Sequence, residues 1–136
     1  MTSLQQPVLS IVIPTYNERA NIQRLVTQLL EVCNPTPTEV IVVDDSSPDG
    51  TAEIVETISD VDPRVSLITR ASKQGLSSAV YAGAEAASGK YVCVIDADFS
   101  HDPEEVPPML LQAQQGYSVV IGSRFVKGAA FIDQPF

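Results

Sequence analysis

The chain has 136 residues, with 17 Asp and Glu against 8 Lys and Arg, for a net charge of −9. Charged residues are 18% and hydrophobic ones 44%, the composition of a globular chain of one domain rather than a disordered one. The acidic balance excludes a nucleic-acid-binding face and a polybasic membrane patch, which both need clustered Lys and Arg, so an anionic ligand here needs a cation or locally placed arginines.

Five short apolar runs recur along the chain: residues 8–14 (VLSIVIP), 39–44 (EVIVVD), 65–70 (VSLITR), 90–96 (KYVCVID) and 117–122 (YSVVIG). They are rich in Val and Ile and apolar almost throughout, which is how strands buried on both faces read. Helix-period segments lie between them. After the first run, Ile22, Leu25, Val26, Leu29 and Leu30 form one apolar stripe, with Asn17 as the expected N-cap. After the second, Ile54, Val55 and Ile58 mark a helix entered through a Ser47-Pro48-Asp49-Gly50 turn. Residues 76–88 form a third, whose small face (Ala79, Val80, Gly83, Ala86, Ala87) suits close packing and whose end Gly89 suits as C′ residue. Residues 104–115 form a fourth, opened by Asp102-Pro103-Glu104-Glu105, with Pro107 and Pro108 delaying or kinking its start. The alternation predicts an α/β fold: an open, mostly parallel sheet with helices on both faces.

Two cysteines, Cys33 and Cys93, lack metal-type spacing and sit in apolar runs, so they read as buried thiols in a reducing compartment. The start MTSLQQP is not a signal peptide, and no apolar run approaches the ~20 residues of a membrane span.

In such sheets a ligand lies beyond the carboxyl ends of the strands, where strand order switches. Polar residues gather there: Pro14-Thr15-Tyr16-Asn17-Glu18 after the first strand, Asp44 to Gly50 after the second, Arg70 to Gly75 after the third, Asp96 to Asp102 after the fourth, and Gly122-Ser123-Arg124 after the fifth. Asp96-x-Asp98 places two carboxylates on one turn, a hard-oxygen pair for Mg²⁺ or Mn²⁺ that leaves room for substrate phosphates. Asp44 and Asp45 suit base or ribose hydrogen bonds, or an Asx turn. Arg70, Lys73 and Arg124 bring positive charge to the same edge, and His101, the one histidine, fits a loop or cap role. No G-x-G-x-x-G follows the first strand, and no P-loop or nucleophile triad is present.

The motifs VIPTYNE (12–18), VVDDSSPDGT (42–51), GLSSAVYAGAEAASG (75–89), DADFSHDPEE (96–105) and IGSRFVKG (121–128), taken in this order, resemble the inverting family 2 glycosyltransferases, and among them the polyprenol-phosphate (dolichol-phosphate) mannosyltransferases. The resemblance implies a Rossmann-like GT-A nucleotide-diphospho-sugar domain that moves mannose from GDP-mannose to a polyprenyl phosphate with inversion, assisted by Mg²⁺ or Mn²⁺. By motif, it implies that Pro14, Tyr16, Glu18, Val43, Asp45, Arg70 and Ala97 line the nucleotide-sugar site. Asp96, Asp98 and Ser100 would serve the metal, Ser100 standing where relatives often carry Gln. Asp96, Asp98 and Arg124 would carry the catalysis. The acceptor phosphate is already ionised, so no side-chain base is required. Family members run well past the GSR motif, so the expectation is the donor half of a larger domain, active at the cytosolic face of a membrane, with acceptor-side residues absent and an open edge that invites self-association. Competing expectations are a polyprenyl-phosphate glucosyltransferase, another family 2 enzyme, or a non-catalytic nucleotide-binding fragment.

Overall fold

The structure, a computed structural model, describes residues 6–72, 74–122 and 131–133. Four parallel strands form the main sheet: β1 (Leu9–Thr15), β2 (Thr38–Asp44), β3 (Val65–Thr69) and β4 (Tyr91–Val94), in spatial order β3-β2-β1-β4. Four helices join or follow them: α1 (Ile22–Cys33), α2 (Thr51–Val61), α3 (Leu76–Ala86) and α4 (Val106–Gln114). A short antiparallel pair, β5 (Val120–Gly122) with β6 (Phe131–Asp133), follows α4. The fifth apolar run therefore pairs with β6 and does not extend the parallel sheet.

The strand order follows from handedness. The β1-α1-β2 and β2-α2-β3 crossovers step in one direction, and a right-handed connection puts both helices on the same face. The chain then returns past β1 to β4, so α3 lies on the opposite face. The two cores match this. Ile11, Ile13, Val40, Val42 and Val65 pack with Leu25, Val26 and Leu29 of α1, Val55 of α2 and Val106 and Leu110 of α4. Val12, Ile41 and Val43 pack with Ala79 of α3. The strands are apolar on both faces because both faces are covered. In α1, Ile22, Leu25, Val26, Leu29, Leu30 and Cys33 are all buried. Each large one contributes roughly 1.5–3 kcal/mol of apolar transfer, more than any helix-propensity difference in that segment.

Several local expectations are corrected. Asn17 is not the α1 cap. It sits in a left-handed turn (φ 58°), and Asn21 precedes the helix, whose first amides, Asn21 N–H and Ile22 N–H, donate to the Glu18 carbonyl at 3.0 Å. Gly89 is not the C′ residue of α3, which ends at Ala86 with Ala87 as its cap. Gly89 instead lets the chain pass β1, since a Cβ there would lie 2.8 Å from the Ser10 amide nitrogen. Ala86 is exposed, and Ala82 takes its place in the packed face. Asp102 caps a 3₁₀ turn, Pro103–Glu105, by accepting from Glu104 N–H at 2.9 Å, and α4 begins at Val106. Pro107 and Pro108 then fall in the first turn, where no intrahelical partner is lost. Cys33 is buried and Cys93 half-buried, and burial pushes their thiols up to about 11 and about 12.

Helix α3 comes close to the sheet at Gly83, where a Cβ would lie 2.3 Å from Val12 Cγ1 and 3.0 Å from Cγ2. Alanine gains up to ~1 kcal/mol in helix propensity, while overpacking costs ~1–3 kcal/mol, and a 2.3 Å contact lies at the severe end. Gly83→Ala is expected to lower stability by about 1 kcal/mol net, read as a lower urea midpoint with unchanged slope; a raised midpoint contradicts this packing.

Candidate functional site

β1 and β4 stay paired only from Leu9↔Tyr91 to Val12↔Val94. The last ladder bond on that side is Ile95 N–H to the Val12 carbonyl, at 3.1 Å. Alternate residues of a strand turn their polar groups to the same side, so Pro14 faces the edge that Val12 faces. There its missing N–H costs nothing, because β4 has already diverged. On its other side β1 stays with β2 as far as Thr15↔Asp44. The sheet thus splits at the switch in strand order, between the loops that follow β1 and β4. In a fold of this kind that split is the binding crevice.

The loops on this edge are held in costly conformations. Asn17 (φ 58°), Ser46 (φ 56°) and Phe99 (φ 61°) are the non-glycine residues with positive φ among the described residues. One lies after β1, one after β2 and one after β4. Each costs of the order of 1–3 kcal/mol and persists only where surroundings over-determine it, as they do at functional sites.

Hydrogen bonds supply that constraint. Asp44 is fully buried and serves the fold: Oδ1 accepts from the Thr15 hydroxyl (2.8 Å) and the Ser47 hydroxyl (2.6 Å), and Oδ2 from Ser47 N–H (3.0 Å). It is the Asx turn of the two readings open for this acidic pair. The β1 and β2 loops are stitched by Asn17 N–H to the Ser47 hydroxyl (2.9 Å), Glu18 N–H to the Thr51 hydroxyl (3.0 Å) and Arg19 N–H to Asp49 Oδ2 (3.1 Å). Asp49 Oδ1 also accepts from the Thr51 amide (3.0 Å) and hydroxyl. Gly50 (φ 94°) crosses close to Arg19, whose Nη1 would lie 3.2 Å from a Cβ.

The residues expected at a nucleotide sugar sit on this scaffold. Pro14 and Glu18 are half-buried and Tyr16 is 40% exposed on the crevice loop. Val43, expected to line the site, is instead fully buried beside Pro14 in the strand register, its side chain packed with Ala79 of α3. Asp45 is nearly buried and holds the Arg70 guanidinium, with Nε to Oδ1 at 2.6 Å and Nη2 to Oδ2 at 2.8 Å. Across the split, Asp96 is half-buried, Ala97 is buried and Asp98 is exposed. Asp98 Oδ1 accepts from Ser100 N–H at 2.9 Å. The Ser100 hydroxyl and then its amide hold the Asp98 carboxyl below its ordinary range, so it stays ionised. Beneath this turn the Phe99 ring lies 4.2 Å from the Arg24 guanidinium of α1, which pins the loop to the helix. Lys73 and Arg124 lie outside the described residues.

Among the described residues no group of three or more His, Cys, Asp or Glu side chains is arranged to hold a metal. Two carboxylates on one turn still fit Mg²⁺ or Mn²⁺, which bind through one or two carboxylates and complete their shell with phosphate oxygens and water. His101 borders a separate cavity of about 660 Å³ along the open edge of β4, lined also by Tyr91, Cys93, Met109, Leu110 and Tyr117. None of Asp45, Asp96 and Asp98 lines it.

Comparison with known proteins agrees with this geometry. The sequence model of the glycosyl transferase family 2 domain matches residues 10–133. The chain belongs to glycosyl transferase family 2. A dolichol-phosphate mannosyltransferase of Pyrococcus furiosus is 41% identical over 128 residues, covering 94% of this chain and 36% of that protein. A Pyrobaculum calidifontis mannosyltransferase solved with GDP-Man and Mn²⁺ superposes with a TM-score of 0.61 at 29% identity, covering 69% of this chain and 28% of that one. Glucosyl-3-phosphoglycerate synthase of Mycobacterium tuberculosis, solved with Mn²⁺, UDP and glucosyl-3-phosphoglycerate, gives 0.65 at 25% identity, covering 84% and 42%. The chain thus spans less than half the length of each of these relatives, and its α/β sheet is the family's GT-A arrangement.

The motifs pointed to the loops at this edge of the sheet but not to their fastenings. Ser47 and Asp49 were legible only as turn formers, Thr15 and Thr51 only as members of their motifs, and the Arg24–Phe99 contact has no sequence signal, since it joins α1 to a loop about 75 residues on. Asp49→Ala removes the acceptors of Arg19 N–H and of Thr51, and is expected to lower stability by about 1 kcal/mol. Chemical denaturation checks this; an unchanged midpoint means the two loops are held by other contacts.

Proposed function

We propose that this chain carries the nucleotide-sugar site of a polyprenyl-phosphate mannosyltransferase, which moves mannose from GDP-mannose to a dolichyl-type phosphate with inversion. The observation that carries the reading is the split between β1 and β4, with Asp96 and Asp98 on one lip and Pro14, Tyr16 and Glu18 on the other. The named activity of the Pyrococcus relative and the GDP-Man and Mn²⁺ bound by the Pyrobaculum protein support the choice of sugar, nucleotide and metal.

The residues divide the work. Tyr16 offers an exposed ring, and Pro14 a half-buried apolar ring, to the nucleoside. Asp45 offers acceptors to base or ribose donors. Asp96 and Asp98 would hold Mg²⁺ or Mn²⁺, which supplies electrostatic stabilisation of a leaving diphosphate. Ser100 holds the Asp98 carboxylate in place through its amide. Arg124 is assigned to a phosphate of donor or acceptor on its motif alone. The acceptor phosphate needs no side-chain base, which suits a crevice without a poised histidine: His101 borders the other cavity. The polyprenyl acceptor and a site of action at a membrane surface belong to the same proposal. No described helix is long and apolar enough to cross a membrane.

Isothermal calorimetry with GDP-mannose and UDP-glucose, with and without Mn²⁺, tests this. GDP-mannose is expected to bind at least about tenfold more tightly with Mn²⁺, and Asp98→Ala to abolish that gain. Preference for UDP-glucose would move the assignment to a glucosyltransferase. Metal-dependent binding that survives in Asp98→Ala would remove the 96–100 turn from the site.

A further inference from the structure

Arg70 follows β3 and carries one of the chain's few positive charges to the crevice edge. A phosphate contact is the obvious role for such a residue, but its geometry points elsewhere. Four of the five N–H groups of a guanidinium are engaged within the protein. Nε and Nη2 form the two-pronged pair with Asp45, Nη2 also donates to the Gly75 carbonyl (3.2 Å), and Nη1 donates to the Ser78 hydroxyl (2.5 Å). The two side chains are only 10% and 7% exposed. The Arg70 backbone is tied down as well: its N–H donates to the Asp44 carbonyl at 2.8 Å, and its carbonyl accepts from the Ser46 hydroxyl. Turning this guanidinium toward a phosphate would strip Asp45 of its cation in a nearly dry place.

The partners of Arg70 come from two sources. Asp45 directly follows β2, whereas Gly75 and Ser78 belong to the start of α3. A carboxylate gripped through both oxygens, whose Oδ2 also accepts from Gln74 N–H at 3.4 Å, cannot rotate, so the direction it presents to a ligand is fixed. The same grip registers α3 against the end of β2.

We propose that Arg70 is a positioning residue for the nucleoside end of the donor site. It fixes the orientation of the Asp45 carboxylate, ties it to the first turn of α3, and makes no contact with the donor phosphates. The proposal rests on the reading of Asp45 as a base or ribose contact.

Calorimetry with guanosine and with GDP, each with Mn²⁺, on the wild type, Arg70→Lys, Asp45→Asn and the double variant separates the roles. Lysine keeps the charge and loses the fork. Arg70→Lys is expected to weaken guanosine and GDP by the same factor, about tenfold, and to add little once Asp45 is Asn, because the two act as one unit. A loss confined to GDP identifies a phosphate contact and overturns the proposal, as does full additivity with Asp45→Asn or unchanged affinity. Should Arg70→Lys fail to fold, Ser78→Ala, which removes only the Nη1 partner, carries the same comparison: equal weakening of guanosine and GDP supports the role, and no change overturns it. A wild-type chain that binds no nucleotide overturns the donor-site reading itself; wild-type binding with an indifferent Arg70→Lys overturns this proposal alone.

Discussion

The parting of β4 from β1 after Val12 is the constraint on which the site depends. A continuous parallel ladder would satisfy every backbone group and leave no crevice. Here β1 runs on with β2 to Thr15 while the chain after β4 turns away, so the two loops that follow face each other across a gap. Pro14 is compatible with that divergence because its ring removes a donor that no neighbour would receive. The direction of the crossovers places the gap where strand order reverses, and the two cores, one on each side of the sheet, keep it there.

Rigidity at the gap comes from side chains that never meet a ligand in this account. Asp44, Asp49, Ser47 and Thr51 tie the loops after β1 and β2 into one body. They hold Asn17 and Ser46 in left-handed conformations that an isolated chain would rarely adopt. On the opposite lip, Arg24 on Phe99 and Ser100 on Asp98 do the same for the acidic turn. The strong acidity of the chain is therefore partly internal structure. Asp44 is consumed by the fold and Asp45 is neutralised by Arg70, while Asp98 stays exposed.

The layout of the sheet was legible in the sequence because strands buried on both faces leave short, nearly continuous apolar runs. The α1 stripe was legible because one face of that helix is buried over its whole length. The acidic turn at Asp96-x-Asp98 was legible from its motif. Legibility failed where a residue's role is set by a partner far along the chain. Asn17 looks like a cap until Ser47 is seen to hold its amide, and Gly89 looks like a helix stop until Ser10 is seen beside it. Arg70 looks like a phosphate ligand until Asp45 is seen to fill its fork. The fifth apolar run reads as a parallel strand, since its pattern does not distinguish β4 from β6 as a partner.

The central claim is that metal and nucleotide meet at the β1–β4 split and not in the cavity beside the outer edge of β4. Paramagnetic broadening of backbone amide signals by Mn²⁺ in the presence of GDP tests it most directly. The account predicts that broadening centres on residues 96–100 and reaches Tyr16 and Glu18, and spares Met109 and Tyr117 on the cavity wall. Broadening centred on Met109 and Tyr117, with residues 96–100 unaffected, would contradict it.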